Sequence, residues 1–217
     1  DGQGAKFRWK GVSTHGIAWF PQYVNKDAFQ TLRDNYGINT IRLAMYTNKS
    51  EGYGPDAVNK VREGVKYATE LGMYVIIDWH ILNDGNPNQH KSEAKKFFTK
   101  MSKKYGGQKN VIYEICNEPN GNVTWNKQIK PYAKTIVKTI RKHSKNAVIV
   151  IGTPTWSQDV DVVAQSPLKG KNLMYALHFY AGTHKEWNQE KLKTAHKKGL
   201  PVMVTEFSIC DASGNGA

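Results

Sequence analysis

The sequence predicts an α/β fold with a parallel sheet closing into a barrel of the (β/α)8 TIM-barrel type, as one catalytic-sized domain over residues 1–217. Three observations carry that prediction. Short, nearly continuous apolar runs alternate with amphipathic helical stretches, the pattern of a parallel sheet covered by helices. Polar and ionisable residues collect at the C-terminal ends of the runs, where the sites of such folds lie. No glycine-rich phosphate loop follows the first run, as a dinucleotide-binding sheet would require, and this favours the barrel.

The first strand is expected at FRWKGVS (7–13), with His15 just beyond it. A helix at 26–36 closes on Tyr36-Gly37 and leads to INTIRLA (38–44), which carries Arg42. A second helix at 56–71 ends on Leu71-Gly72 before MYVIIDWH (73–80), with Asp78 and His80. A helix at 90–105 precedes NVIYEICN (110–117), which runs into Asn117-Glu118-Pro119. Helices at 125–143 and 157–166 flank AVIVIGT (147–153), and NLMYALHFY (172–180) ends in His178 and Tyr180. The last helix, 185–198, closes on Gly199-Leu200-Pro201, and PVMVTEF (201–207) carries Glu206 at its end. No Gly/Ser/Pro-rich linker divides the chain. The count is seven strands where a closed barrel takes eight. SICDASGNGA (208–217) looks like the loop after strand seven, so the expectation is a C-terminally incomplete barrel. Its open edge would be covered by a missing segment or by self-association.

Composition excludes several function classes. The formal charge of +13 comes from 31 Lys+Arg against 18 Asp+Glu, but the lysines are spread along helical stretches such as 90–109 and 191–199, as on solvated outer faces. With no RNP-like strand and no Cys/His zinc spacing, no nucleic-acid partner is expected. No run approaches the ~18 apolar residues of a membrane span. Cys116 and Cys210 rule out a disulfide-rich scaffold and read as free thiols. No signal peptide is visible, and a secreted protein with its leader removed would look the same.

The carboxylates narrow the chemistry. If the fourth strand continued to Glu118, then Glu114, Cys116 and Glu118 would share one face, with Glu114 about 13 Å below Glu118. That is too deep for a hydrolytic pair, which needs about 5–5.5 Å for retention or about 6.5–9.5 Å for inversion. Glu114 is therefore expected to be a buried structural carboxylate, with Arg42 as a candidate partner. Glu206, at another strand end, is the better match for Glu118. A metal set of Asp78, His80 and His178 is the competing arrangement, but no strand carries a His-x-His pair, and no cofactor is expected. No G-x-S-x-G elbow supports a serine nucleophile. Trp9, Tyr74, Tyr113 and Tyr175 lie inside strands and read as core. Trp19, Tyr46 and Trp156 follow strands one, two and five, so they would lie over the site, where flat rings can stack on sugar faces.

These stretches together resemble the bacterial-type endoglucanases (cellulases) of glycoside hydrolase family 5. The resemblance runs from about residue 7 to the end and is carried by GVSTHGIAWF (11–20), IRLAMYT (41–47), YVIIDWHILNDGNPN (74–88), VIYEICNEPNG (111–121), GTPTWSQDVD (152–161), MYALHFYAGTH (174–184) and VTEFSICDASGNG (204–216). It implies a secreted enzyme that hydrolyses internal β-1,4 bonds of cellulose or mixed β-glucan with retention of configuration. Glu118 matches the acid/base and Glu206 the nucleophile. Arg42 and Tyr180 match groups that keep the nucleophile ionised, and Asn117 a contact to the sugar 2-hydroxyl. His80 and His178 match the lining of the cleavage point, and His15, Trp19, Tyr46 and Trp156 match sugar-binding positions. Mannan or xyloglucan as the backbone, and a truncated sugar-binding relative without turnover, remain the alternatives. Ser208 stands where the family usually has Gly, and the family's eighth βα unit is missing.

Overall fold

The computed structural model describes residues 6–216. Its seven strands are β1 (Gly11–Ser13), β2 (Thr40–Tyr46), β3 (Tyr74–His80), β4 (Val111–Glu114), β5 (Ile149–Ile151), β6 (Leu173–Tyr180) and β7 (Val202–Ser208). They pair in chain order, every pair parallel. The helices α1 (Lys26–Tyr36), α2 (Pro55–Glu70), α3 (Lys91–Tyr105), α4 (Lys130–Arg141), α5 (Val160–Val163) and α6 (Glu186–Lys197) fill the connections. The Arg42 guanidinium on β2 reaches Glu114 on β4 and Glu206 on β7. A flat sheet could not bring those strands to one side chain, so the sheet curls into the predicted barrel. Among the described residues β1 pairs only with β2 and β7 only with β6, which leaves a seam.

Alternation along the strands sorts the side chains into two cores. Outward positions such as Leu43, Ile77, Trp79, Tyr113, Ile151 and Leu177 join Val61, Val65, Phe98 and Ile136 of the helices in one continuous cluster. Each such burial contributes roughly 1.5–3 kcal/mol. Inward positions Ile76, Ile112, Val150, Ala176 and Met203, one from each of β3 to β7, plug the barrel. Two residues further along four of these strands come Asp78, Glu114, His178 and Thr205, so a polar layer lies directly on the plug.

Local chemistry explains the element ends. The Asn25 side chain accepts the Ala28 N–H at 2.8 Å to start α1, and Gly37, at φ 65°, ends it. Four boundaries differ from the sequence reading. Residues 7–10 are not strand: Phe7 and Trp9 pack beneath the barrel against Tyr74. The expected helix at 125–143 starts as a π turn, Trp125–Ile129, because Thr124 O accepts from Ile129 N and Pro131 has no N–H to offer. The expected helix at 157–166 is instead a left-handed turn followed by short α5. Strand β4 stops at Glu114, three residues early, because Asn117 N and Glu118 N bond to Trp79 O and Ile81 O across the end of β3. Cys116 consequently enters the helix-side core and does not share a face with Glu114 and Glu118.

Both cysteines are buried and unpaired. Among the described residues, no helix is long and apolar enough to cross a membrane.

Candidate active site

A cleft of about 890 Å³ opens over the C-terminal ends of the strands. His15, Tyr46, His80, Glu118, Trp156, His178, Tyr180 and Glu206 all line it. Arg42 and Asn117 do not: both are buried beneath its floor. Trp19 packs beside Tyr46, their rings 4.6 Å apart, as one wall of an aromatic corner that also holds His15. Gly16 makes that corner possible, since a Cβ there would lie 2.6 Å from the Trp19 ring.

Arg42 organises the floor. Its Nε donates to Glu114 Oε2 at 2.7 Å, Nη1 lies 3.0 Å from Glu206 Oε2, and Nη2 lies 3.1 Å from Asp78 Oδ2. Asn117 Oδ1 accepts from Nη2 at 2.6 Å, while its Nδ2 donates to Ile81 O at 3.0 Å and faces His80 Nε2 at 3.3 Å. Both ends of Asn117 are therefore committed to holding Arg42 and His80. The Asp78 carboxylate also bonds His80 Nδ1 at 2.6 Å, and the Tyr46 ring packs against that imidazole at a tilt, centres 4.5 Å apart. The sequence-based pairing of Glu114 with Arg42 holds, but not the 13 Å gap to Glu118. One imidazole, His178, lies 2.9 Å from Glu118 Oε1 and 3.7 Å from Glu114 Oε1.

Charge in this layer is strongly biased. Burial alone would raise the Glu114 pKa, but Arg42 and His178 hold it at about 2. Burial likewise opposes ionisation of Glu206, yet His178, Arg42 and the Tyr180 hydroxyl, 2.5 Å from Oε1, hold it at about 2. Asp78 moves the other way, raised by burial. Burial should lower His178, but Glu114, Glu118 and Glu206 lift it to about 9.

A β-bulge aims Glu206 into the cleft. Leu177 pairs with Val204 and His178 with Glu206, so β7 carries Thr205 as an extra residue. Strict alternation from inward Met203 would send Glu206 outward; the bulge turns Thr205 and Glu206 both inward and leaves Phe207 exposed. Ser208 stays within β7, paired with Tyr180, and has no left-handed backbone, so replacing Gly there costs no strain.

The cleft wall opposite Tyr46 rests on a left-handed turn. Thr155, Trp156 and Ser157 have φ of 56°, 53° and 57°, each disfavoured by roughly 1–2 kcal/mol. Trp156 N donates to Pro119 O at 3.0 Å, and Ser157 Oγ to Asn117 O at 2.6 Å. Asp159 takes Thr155 Oγ1 and Lys191 Nζ, each at 2.6 Å. These bonds tie Trp156 to the turn that carries Glu118.

One ligand atom each from Glu118, His178 and Glu206 lies within 4.8 Å of the others, a grouping that could also hold a cation. It differs from the Asp78, His80, His178 set considered from sequence, because Asp78 and His80 are bonded to each other. Sequence reading missed Thr205, Gln158 and His184, and noted Ser208 only as a departure from Gly. The last three line the cleft from loops and a strand end, where no spacing rule marks them. Thr205 was hidden by the bulge.

Two carboxylates facing each other in an aromatic-walled cleft at the carboxyl end of a parallel barrel define a hydrolase-type centre of the kind that acts on glycosides. The chain matches the family described as cellulase (glycosyl hydrolase family 5) over residues 1–217, and it belongs to that family. It is 50% identical to endoglucanase 5 of Pectobacterium carotovorum subsp. carotovorum over its whole length, covering 43% of that protein. It is also 50% identical to endoglucanase N of Pectobacterium atrosepticum, with all of this chain and 49% of that protein covered. The chain thus spans about half the length of the curated relatives it matches. The catalytic domain of the Thermobifida fusca endoglucanase superposes with TM-score 0.94 at 35% identity, over 100% of this chain and 73% of that one.

Proposed function

We propose that this chain is the catalytic barrel of a retaining endo-β-1,4-glucanase, cutting internal bonds of cellulose or mixed-linkage β-glucan outside the cell. The observation that carries this reading is the approach of Glu118 and Glu206, with an oxygen of each within 4.8 Å. Oxygens that close fit the about 5–5.5 Å separation of retaining pairs better than the about 6.5–9.5 Å of inverting ones. Glu206, ionised and held by Arg42 and Tyr180, attacks the anomeric carbon as Glu118 gives its proton to the leaving oxygen. Glu118 then takes a proton from water, which releases the sugar. His80 and His178 border the cleavage point, Asn117 fixes Arg42 and His80 through its amide, and His15, Trp19, Tyr46 and Trp156 stack or bind sugar rings along the cleft. The endoglucanase names of the relatives support this substrate class, as does the cellotetraose complex of the Thermobifida fusca enzyme, which superposes with TM-score 0.93. A polymeric substrate cannot cross a membrane, which supports action outside the cell.

Reducing-sugar release from carboxymethyl cellulose tests the reading. Wild-type chain should exceed Glu206→Ala and Glu118→Gln by about a hundredfold or more. Equal release by all three, or cello-oligosaccharide binding without turnover, would replace it with a sugar-binding role. Faster turnover of mannan or xyloglucan than of barley β-glucan would move the substrate within the family.

A further inference from the structure

The Thr205 hydroxyl joins two groups across the barrel, 2.7 Å from Glu114 Oε1 and 2.7 Å from His178 Nε2. A hydroxyl has one proton to give. Glu114 is ionised, its other oxygen 2.7 Å from Arg42 Nε, so it can only accept. The Thr205 proton therefore goes to Glu114, and the Thr205 oxygen is left to accept an N–H from His178 Nε2. At 3.7 Å, Nε2 is too far from Glu114 Oε1 for a direct bond. Nε2 thus keeps its proton in either charge state of the ring, and only Nδ1, 2.9 Å from Glu118 Oε1, is free to titrate.

We propose that Thr205 is a positioning residue for acid–base transfer: it anchors the His178 Nε2–H to the Glu114–Arg42 pair and so dedicates Nδ1 to Glu118 Oε1. This rests on the reading of Glu118 as the acid/base and deepens it. With Oε1 engaged by the Nδ1 proton, Oε2 is the oxygen that exchanges protons with substrate. It gives its proton to the leaving oxygen as the glycosidic bond breaks, and regains one from water as that water's oxygen bonds to the anomeric carbon. His178 keeps Nε2–H throughout, and no net proton is left behind. The groups facing the ring are Glu114 on β4, Glu118 beyond β4 and Glu206 on β7, with Arg42 of β2 behind Glu114. Their combined effect favours the cationic ring at neutral pH. The bulge that turns Glu206 inward also turns Thr205 inward, so one backbone irregularity places both.

The test pairs kinetics with imidazole ¹⁵N spectra. Thr205→Val keeps the shape and removes the hydroxyl. It should lower kcat/KM on cellotetraose about tenfold, the size of one lost hydrogen bond to a charged group, while changing turnover of 2,4-dinitrophenyl cellobioside, which needs little acid assistance, less than about twofold. Thr205→Ser should restore the wild-type value. In the wild-type spectrum the His178 Nε2 should stay protonated across the titration, with a midpoint that falls by about one pH unit in Thr205→Val. Equal losses on both substrates, failure of Ser to rescue, or a wild-type Nε2 that deprotonates would each overturn the proposal. Glu118→Gln separates the two levels. If it shows no leaving-group discrimination, the acid/base reading itself falls; discrimination there but not in Thr205→Val sinks only the role of Thr205.

Discussion

Replacing Arg42 with Met removes the one guanidinium that faces Asp78, Glu114 and Glu206 at 2.7–3.1 Å. The methionine fills similar volume, so the loss is mainly electrostatic. Holding Glu114 at about 2 instead of its ordinary 4.5 corresponds to about 3 kcal/mol, and breaking a buried ion pair from one side costs about 3–5 kcal/mol. Both routes put the loss at about a fifth or more of a typical domain's stability of about 5–15 kcal/mol. The sign with pH follows from the direction of the shift. Glu114 has a depressed folded pKa, so its contribution is fully present above about 4.5 and disappears as pH falls toward 2. In Arg42→Met, burial is opposed at Glu114 only by His178, so the buried carboxyls titrate higher than in the wild type and the folded variant recovers relative stability in acid. Urea unfolding followed by tryptophan fluorescence should show a gap of about 3–5 kcal/mol at pH 7 that narrows by pH 4. Adding Glu114→Gln should recover part of the loss at pH 7. A gap under about 1 kcal/mol at pH 7, or one that does not shrink in acid, would refute this account of the buried layer.

Other outcomes test other parts. Tyr180→Phe removes the 2.5 Å bond that favours ionised Glu206, so the acid limb of kcat/KM should move to higher pH by about one unit; an unmoved limb contradicts the role given to Tyr180. Trp156→Ala should raise KM for cellotetraose about tenfold with kcat nearly unchanged, measured in steady state, whereas a fall in kcat alone would remove Trp156 from sugar binding. Phe207 in β7 and Ile209 just beyond it are 62% and 73% exposed, beside an edge that no strand among the described residues pairs. Sedimentation of this 217-residue chain should therefore show concentration-dependent association that Phe207→Ser with Ile209→Ser reduces; identical profiles would mean the seam attracts no second copy.

The barrel was legible because its two periodicities are plain: apolar runs such as MYVIIDWH and VIYEI alternate with capped helices. The ends of those runs, with Arg42, His80, Glu118, His178, Tyr180 and Glu206, were legible because ionisable residues there have no core reason to exist. What could not be read depends on the chain leaving regular geometry. Strand spacing placed Glu114 far from Glu118, whereas early termination of β4 lets one imidazole serve both. Alternation cannot show that Thr205 and Glu206 face the same way, because a bulge breaks it. Nor does the PTWSQ segment announce a left-handed turn, since Thr, Trp and Ser disfavour that conformation and tertiary bonds such as those to Pro119 O and Asn117 O help hold it. Asn117 was expected to touch the sugar, and a strand-end position alone cannot show that packing buries it with its amide turned to Arg42, His80 and Ile81 O.

In the proposed mechanism Glu206 forms a covalent glycosyl bond while Glu118 moves the protons. Incubation with 2,4-dinitrophenyl 2-deoxy-2-fluoro-β-cellobioside, followed by peptide mass spectrometry, addresses it directly, because the fluorine slows release of the intermediate more than departure of dinitrophenolate. One fluorocellobiosyl group per chain is expected, on the peptide bearing Glu206 and absent from Glu206→Ala. A label on another carboxylate would contradict the mechanism, as would hydrolysis giving the α-anomer with no label at all.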